Sequence, residues 1–330
     1  MKVCIVGAGA IGGLIGTRLA AAGRSEVSAV ARGATLSALR EHGWRLRHGD
    51  ALVRAPARAF AHAADIGPQD LVVIAVKGPA LAQAAQSIAP LMGPETIVLP
   101  AMNGVPWWFF DDPSMPYAGT RLESVDPGGT IARALPAANV IGCVVHASAS
   151  TLEPGVVLLG AGDGLIVGEI DGRETQRVAA LSELLGHAGF AIARSPRIRA
   201  QIWYKLWGNL TMNPVSALTG ATADRVLADP LVRRFCAAAM DEAAAIGARI
   251  GCEMKETAAQ RQEVARKLGA FRTSMLQDVE AGRPLEIDAI IGAVREIGLK
   301  VGVATPNIDG LLGLVRLFAR VRGLYPEALV

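Results

Sequence analysis

No apolar run in this 330-residue chain approaches the ~18 consecutive residues that a membrane-spanning helix requires. The longest, Leu71–Val76 and Val140–Val145, are strand-sized, although mean hydropathy is high at +0.34. The apolar stretch after Met1 is short and runs directly into glycines, unlike a secretory signal, so a cytoplasmic location is expected. Cysteine is sparse too. Cys4, Cys143, Cys236 and Cys252 lie too far apart for a CxxC pair or a disulfide framework. The five histidines show no metal-ligand spacing, so no metal is expected. Excess charge is also missing. The net charge is +3 with no basic run, which argues against nucleic acid and leaves a small anionic ligand as the expected partner.

Lysine is scarce as well. Of the 33 basic residues only 6 are lysine and 27 are arginine. A lysine within a polar cluster therefore needs a reason, and its ability to release a proton near neutral pH is one that arginine cannot share.

What is present is a globular composition, 51% apolar and 19% charged, on a chain too long for one ordinary core. Lys2–Val6, a glycine turn, a helical pattern from Ile11 to Ala22 and a second apolar run at Glu26–Ala31 open the sequence. Strand-length runs at Leu71–Val76 and Thr96–Ala101 with helical patterns between them imply a parallel sheet. Val140–Val145, Val156–Leu159 and Leu165–Val167 read as later strands of the same domain. After Ser195-Pro196 the pattern turns almost wholly helical. The expected fold is α/β: a Rossmann-type doubly wound sheet over 1–196, binding the cofactor, and an all-helical substrate domain over 197–330. The two are expected to share a crevice, and the helical part offers surfaces for a homodimer.

Gly7-Ala8-Gly9-Ala10-Ile11-Gly12 follows a strand and opens a helix, the context in which GxGxxG marks a dinucleotide site. The glycines allow a tight turn, close approach of a pyrophosphate, and helix packing on the strand. In that context the motif is strong; alone it would fit a mere glycine turn. An NAD enzyme carries an acid about 20 residues on. Here Val30-Ala31-Arg32 ends the second strand, and Arg32 could instead bind a 2′-phosphate. NADP(H) is the expected cofactor.

Lys205, Asn209 and Asn213 stand at i, i+4 and i+8, one polar stripe on a helix with Leu206, Leu210 and Met212 as apolar neighbours. A solvated helix face would look similar. Yet two amides and a lysine with no acid suit an oxygenated anionic substrate better. A second cluster comprises Thr273 to Asp278 and Glu286, the latter expected in the first turn of a helix, where the dipole alone would favour an acid. Lys77 and Asn103 follow strands, where a doubly wound sheet holds ligands; each could equally be a turn or cap residue.

Together these pieces resemble the ketopantoate reductase (2-dehydropantoate 2-reductase) family across nearly the whole chain. The specific elements are GAGAIG, Arg32, AVK ending at Lys77, Asn103-Gly104, KLWGNLTMNP from Lys205 to Pro214, and SMLQD with EID from Ser274 to Asp288. The resemblance implies hydride transfer from NADPH to the 2-keto carbon of ketopantoate (2-dehydropantoate), giving pantoate, with pantothenate biosynthesis as the setting. It makes Lys205 the general acid and Asn209, Asn213 and Ser274 substrate ligands. Asn103 would lie between nicotinamide and substrate, and Lys77 would position the cofactor. Glu286 would bind the cofactor's ribose side or orient Lys205.

The sequence departs from the family at several points. Ala223 and Phe271 stand where further asparagines are usual, and Val144-Val145 where threonines precede the histidine, His146 here. Trp107-Trp108-Phe109-Phe110 forms an unusually aromatic insert, read either as packing or as a reshaped pocket. A paralogous reductase of another 2-keto acid with a more apolar pocket is the alternative. A non-enzymatic NADPH sensor would explain the glycines but not Lys205, Asn209, Asn213, Ser274 and Glu286.

Overall fold

The computed structural model describes residues 1–267 and 269–327. The chain forms two compact units. One comprises Met1–Met102 and Gly128–Gln201, the other Asn103–Pro127 and Ile202–Val330.

The first unit opens β1 (Lys2–Val6), α1 (Ala10–Ala22), β2 (Glu26–Val30), α2 (Gly33–His42), β3 (Trp44–His48), β4 (Ala51–Ala55) and β5 (Arg58–Phe60). It continues with β6 (Leu71–Ile74), α3 (Gly78–Ser87), β7 (Ile97–Pro100), α4 (Thr130–Ala134), β8 (Ile141–Glu153), β9 (Val156–Glu169), α5 (Gln176–His187) and β10 (Ala191–Arg194). A parallel five-stranded sheet runs in the order β5-β2-β1-β6-β7. Its strands β1, β6 and β7 are buried almost throughout, as a sheet covered on both faces requires. Strand order reverses between β1 and β6, and the carboxyl ends at that reversal are where such sheets hold ligands.

The later strands belong to the same unit, as expected. Val140 makes a parallel bridge to Val98 of β7. From Ile141 on they form one long antiparallel hairpin, β8 with β9, in a second sheet with β10, β3 and β4. The glycines that look like strand ends lie inside β9. There Gly162 has a positive φ of 74° and sits too close to the His146 carbonyl for a side chain. Helix α1 packs closely at two further glycines. A Cβ at Gly13 would come 2.5 Å from Val157, and one at Gly16 would come 2.5 Å from the Trp44 ring.

The second unit holds α6 (Ile198–Thr219, whose first residues belong to the first unit), α7 (Ala223–Ala228), α8 (Pro230–Arg249), α9 (Ala258–Arg266), α10 (Ser274–Glu280), a π-turn at Asp288–Gly292, α11 (Ala293–Val301) and α12 (Pro306–Val321). Helix starts carry strong caps. Asp229 accepts from the amides of Leu231 and Val232, and Thr257 with Gln260 forms a capping box. The indole N–H groups of Trp203 and Trp207 donate to the carbonyls of Ala243 and Met240, fixing α6 against α8.

A single division at Pro196 therefore does not describe the chain. Residues 103–127 belong with the helical unit, and the reason is packing. Trp107, Trp108, Phe109 and Phe110 are at most 5% exposed, and the Phe109 ring centroid lies 6.0 Å from that of Trp203. Burying four such rings is worth several kcal/mol, since each large side chain contributes ~1.5–3 kcal/mol. The Glu296 carboxylate on α11 accepts from the backbone amides of Glu123 and Ser124 and from the Ser124 hydroxyl. Those bonds hold its pKa below the ordinary glutamate value against the opposing effect of burial.

Candidate functional site

In the first unit the glycine turn joins β1 to α1. Gly7 has φ +91° and donates to the Val30 carbonyl, a backbone state that excludes most side chains. Gly12 lies so close to the turn that a Cβ would stand 2.0 Å from the Gly7 oxygen. Gly9, the N-cap of α1, differs. A Cβ there meets no protein atom within 4 Å, and the residue is exposed. Folding alone does not demand glycine at that position; a ligand pressed against the helix N-terminus would. Ala8, Ala10 and Ile11 complete the turn, half-buried.

An open cavity with an empty volume of ≈ 690 Å³ begins at this turn and runs between the ends of β2 and α3. Its rim carries Arg32, Thr35, Gln83 and Ser87, and no acid is among the described residues that line it. Arg32 is exposed and donates to Gln83 Oε1 at 3.1 Å. Thr35, Gln83 and Ser87 were not picked out in the sequence; their approach depends on how α2 and α3 pack. The cavity fits a dinucleotide: open space at Gly9, a helix N-terminus without an acid, and a guanidinium where a carboxylate would repel a phosphate. Lys77 is the half-buried N-cap residue of α3, at the end of the β6 segment.

In the second unit Lys205 and Asn103 come together. Lys205 Nζ donates to Asn103 Oδ1 at 2.8 Å. The backbone beyond Asn103 is pinned, because Val105 N–H donates to the Ala289 carbonyl in the π-turn at 2.8 Å. Gly104 lies so near that turn that a Cβ would be 2.6 Å from the same oxygen, which requires glycine. Glu286 is half-buried in non-helical backbone just ahead of Ile287 and the π-turn, not inside a first helical turn as expected. An acid directly ahead of the helical turn at Ile287 is still favoured by the helix dipole.

Asn209 and Asn213 follow Lys205 along α6 and line a second, open cavity together with Ala223, Phe271 and Thr273. Asn213 is 4% exposed, and its amide nitrogen is buried without a hydrogen-bond partner. Ser274 is exposed in the first turn of α10 and does not line this cavity; its neighbour Thr273, the N-cap, does. The aromatic insert is core, absent from the cavity wall. Among the described residues no cluster of three or more His, Cys, Asp or Glu could hold a metal, and no helix is long and apolar enough to cross a membrane.

Comparison with known proteins bears on both units. Residues 3–107 match the profile of ketopantoate reductase PanE/ApbA, and residues 197–319 match its C-terminal profile. A 2-dehydropantoate 2-reductase of Mesorhizobium japonicum is 45% identical over 98% of this chain and 100% of its own. A solved structure from Ralstonia solanacearum MolK2, itself only provisionally assigned as a ketopantoate reductase, superposes with a TM-score of 0.95. It is 56% identical and covers 98% of this chain and 99% of its own. D-mandelate dehydrogenase, solved with NADH and anilino(oxo)acetate, shares the fold at 24% identity, with a TM-score of 0.82, 98% of this chain and 100% of its own. A glycine cradle on a parallel sheet, a lysine held by an asparagine in a helical unit, and two profiles covering most of the sequence lead to one assignment: the chain belongs to the ketopantoate reductase family of NADP-dependent oxidoreductases.

Proposed function

We propose that this chain reduces a 2-keto acid with NADPH, 2-dehydropantoate to pantoate being the foremost candidate. The observation that carries this reading is the Lys205–Asn103 contact, an ammonium fixed by a neutral acceptor. An ammonium carries three N–H donors, and Asn103 accepts one of those of Lys205. NADPH bound at the glycine turn would supply a hydride. As the keto carbon gains that hydride, the carbonyl π-pair moves to oxygen. The Lys205 ammonium stabilises the developing charge and delivers a proton, then recovers one from solvent. Gly7, Ala8, Gly9, Ala10, Ile11 and Gly12 would take the pyrophosphate, Arg32 with Thr35 and Gln83 the 2′-phosphate, and Lys77 the cofactor nearby. Asn209 and Asn213 would hold the substrate. Glu286 and Ser274 remain candidates for cofactor or substrate contact.

A second reading has one observation in its favour. Ala223 and Phe271, where the family usually has asparagines, both line the cavity beside Asn209 and Asn213. That wall suits a 2-keto acid with a more apolar side chain. Steady-state oxidation of NADPH against a panel of 2-keto acids separates the two readings. Preference for 2-dehydropantoate upholds the first, preference for a hydrocarbon acid the second, and no turnover of any 2-keto acid overturns both.

A further inference from the structure

Of the residues lining the cavity beside Asn209 and Asn213, Arg261 alone is charged. It rises from α9, and its guanidinium carbon lies 5.0 Å from the centroid of the Tyr204 ring. It also presses on α6 at Gly208, where a Cβ would stand 3.1 Å from Nη2. Its Nε is buried without an acceptor, and among the described residues it makes no ion pair with an acidic side chain. The nearby Glu256 carboxylate accepts instead from the Tyr204 hydroxyl at 2.9 Å.

A partly buried guanidinium among Met212, Met240, Ala265 and Phe271 is costly unless something accepts its hydrogen bonds. Asn213 adds a second unsatisfied donor to the same wall. Two donors in this wall thus lack acceptors, and an occupant that brings oxygen would satisfy them. The place along α6 says which part of an occupant that is. Asn209 and Asn213 lie one and two turns beyond Lys205, about 6 and 12 Å along the axis, and Lys205 does not line the cavity. The keto group belongs at Lys205, so the cavity receives the side chain.

We propose that Arg261 is a specificity residue: its guanidinium binds the oxygen at the end of the substrate's side chain remote from the keto group. Arg261 thereby supplies, from α9, the polar contact that Ala223 and Phe271 do not. This rests on the reading of Lys205 as the proton donor.

The test uses three 2-keto acids of one branched skeleton whose side chain ends in methyl, hydroxymethyl or carboxylate. The intact enzyme should prefer an oxygenated acid over the methyl acid by about 10- to 100-fold in kcat/KM, the range expected for a charge-assisted hydrogen bond. Arg261→Met should bring that ratio toward one, chiefly through KM, and Arg261→Lys should recover part of it. The hydroxymethyl and carboxylate arms tell a neutral from a charged acceptor. Equilibrium binding of the three corresponding 2-hydroxy acids, followed by thermal shift, reads the same ratio without turnover. Failure of the reductase reading thus leaves this inference testable. A wild-type protein that does not favour oxygenated side chains, or an Arg261→Met variant that keeps the preference, overturns it.

Discussion

The Lys205 ammonium donates to the side-chain oxygen of Asn103 across 2.8 Å, although the two residues are 102 positions apart in sequence. If that contact aims the proton donor, Asn103→Ala should lower single-turnover hydride transfer by roughly 10- to 100-fold, since a hydrogen bond to a charged group is worth ~1.5–3 kcal/mol. Lys205→Ala should cost roughly 100-fold or more, and Lys205→Arg should restore charge but only part of the rate. Unchanged rates in Asn103→Ala and Lys205→Ala would remove both from the reaction.

The glycine turn separates a binding role from a folding role. Gly12→Ala drives a Cβ into the Gly7 carbonyl and should destabilise the protein by ~1–3 kcal/mol, as overpacking does. Gly9→Ala meets no protein atom, so its melting temperature should stay close to wild type while NADPH binding weakens. Thermal melts without cofactor and a separate NADPH titration read the two effects. A Gly9→Ala variant with unaltered NADPH affinity would show that the open space at Gly9 serves no ligand.

Arg32 stands, bonded to Gln83, at the rim of a cavity with no acid among the described residues that line it. Arg32→Ala should weaken NADPH by about 10- to 100-fold and leave NADH nearly unaffected, because only the former offers a 2′-phosphate. Gln83→Ala should produce a smaller loss of the same sign. Equal dissociation constants for the two cofactors in the wild type would contradict the assignment.

Tyr325 donates to Asp288 at 2.6 Å. Burial, followed by the Asp288 bond and charge, pushes the phenol up to about 12 from an ordinary value of 10.0. A folded pKa above the unfolded one means that the protonated phenol favours the native state. Its contribution is complete below pH 10 and is lost as pH rises toward 12. Ultraviolet titration should show a late tyrosinate phase that is lost in Tyr325→Phe, beside that of Tyr204, whose pKa burial and the Glu256 bond also raise. The variant's melting temperature should fall less steeply than that of wild type over that alkaline window.

Much of the candidate site could be read from short-range pattern. GAGAIG lies between one strand and one helix, and Lys205, Asn209 and Asn213 share a helix face, so neither needs a distant partner to be noticed. The parts that escaped depend on packing. Arg261 and Thr273 reach the Asn213 cavity only because α9 and the start of α10 pack beside α6. Ser274 and Thr273 are adjacent in sequence, but the helix start assigns one to the exposed turn and the other to the cavity wall. The β8–β9 hairpin was broken into short strands because its internal glycines look like turns until His146 and Ser148 are seen opposite them. Strand β3 alternates in Trp44-Arg45-Leu46-Arg47, a local pattern, whereas β4 and β5 carry none as clear.

The affiliation of residues 103–127 with the helical unit also orders events on the ribosome. Trp107 to Phe110 emerge long before Trp203, the α6 residue against which Phe109 packs. At translation rates of ~5–20 residues per second the interval is roughly 5–20 seconds. Four large apolar rings must wait through it on a nascent chain whose first sheet can already be forming. That interval is a natural window for chaperone capture. It also means that a gene cut at Pro196 would leave the first fragment with an aromatic segment it cannot bury.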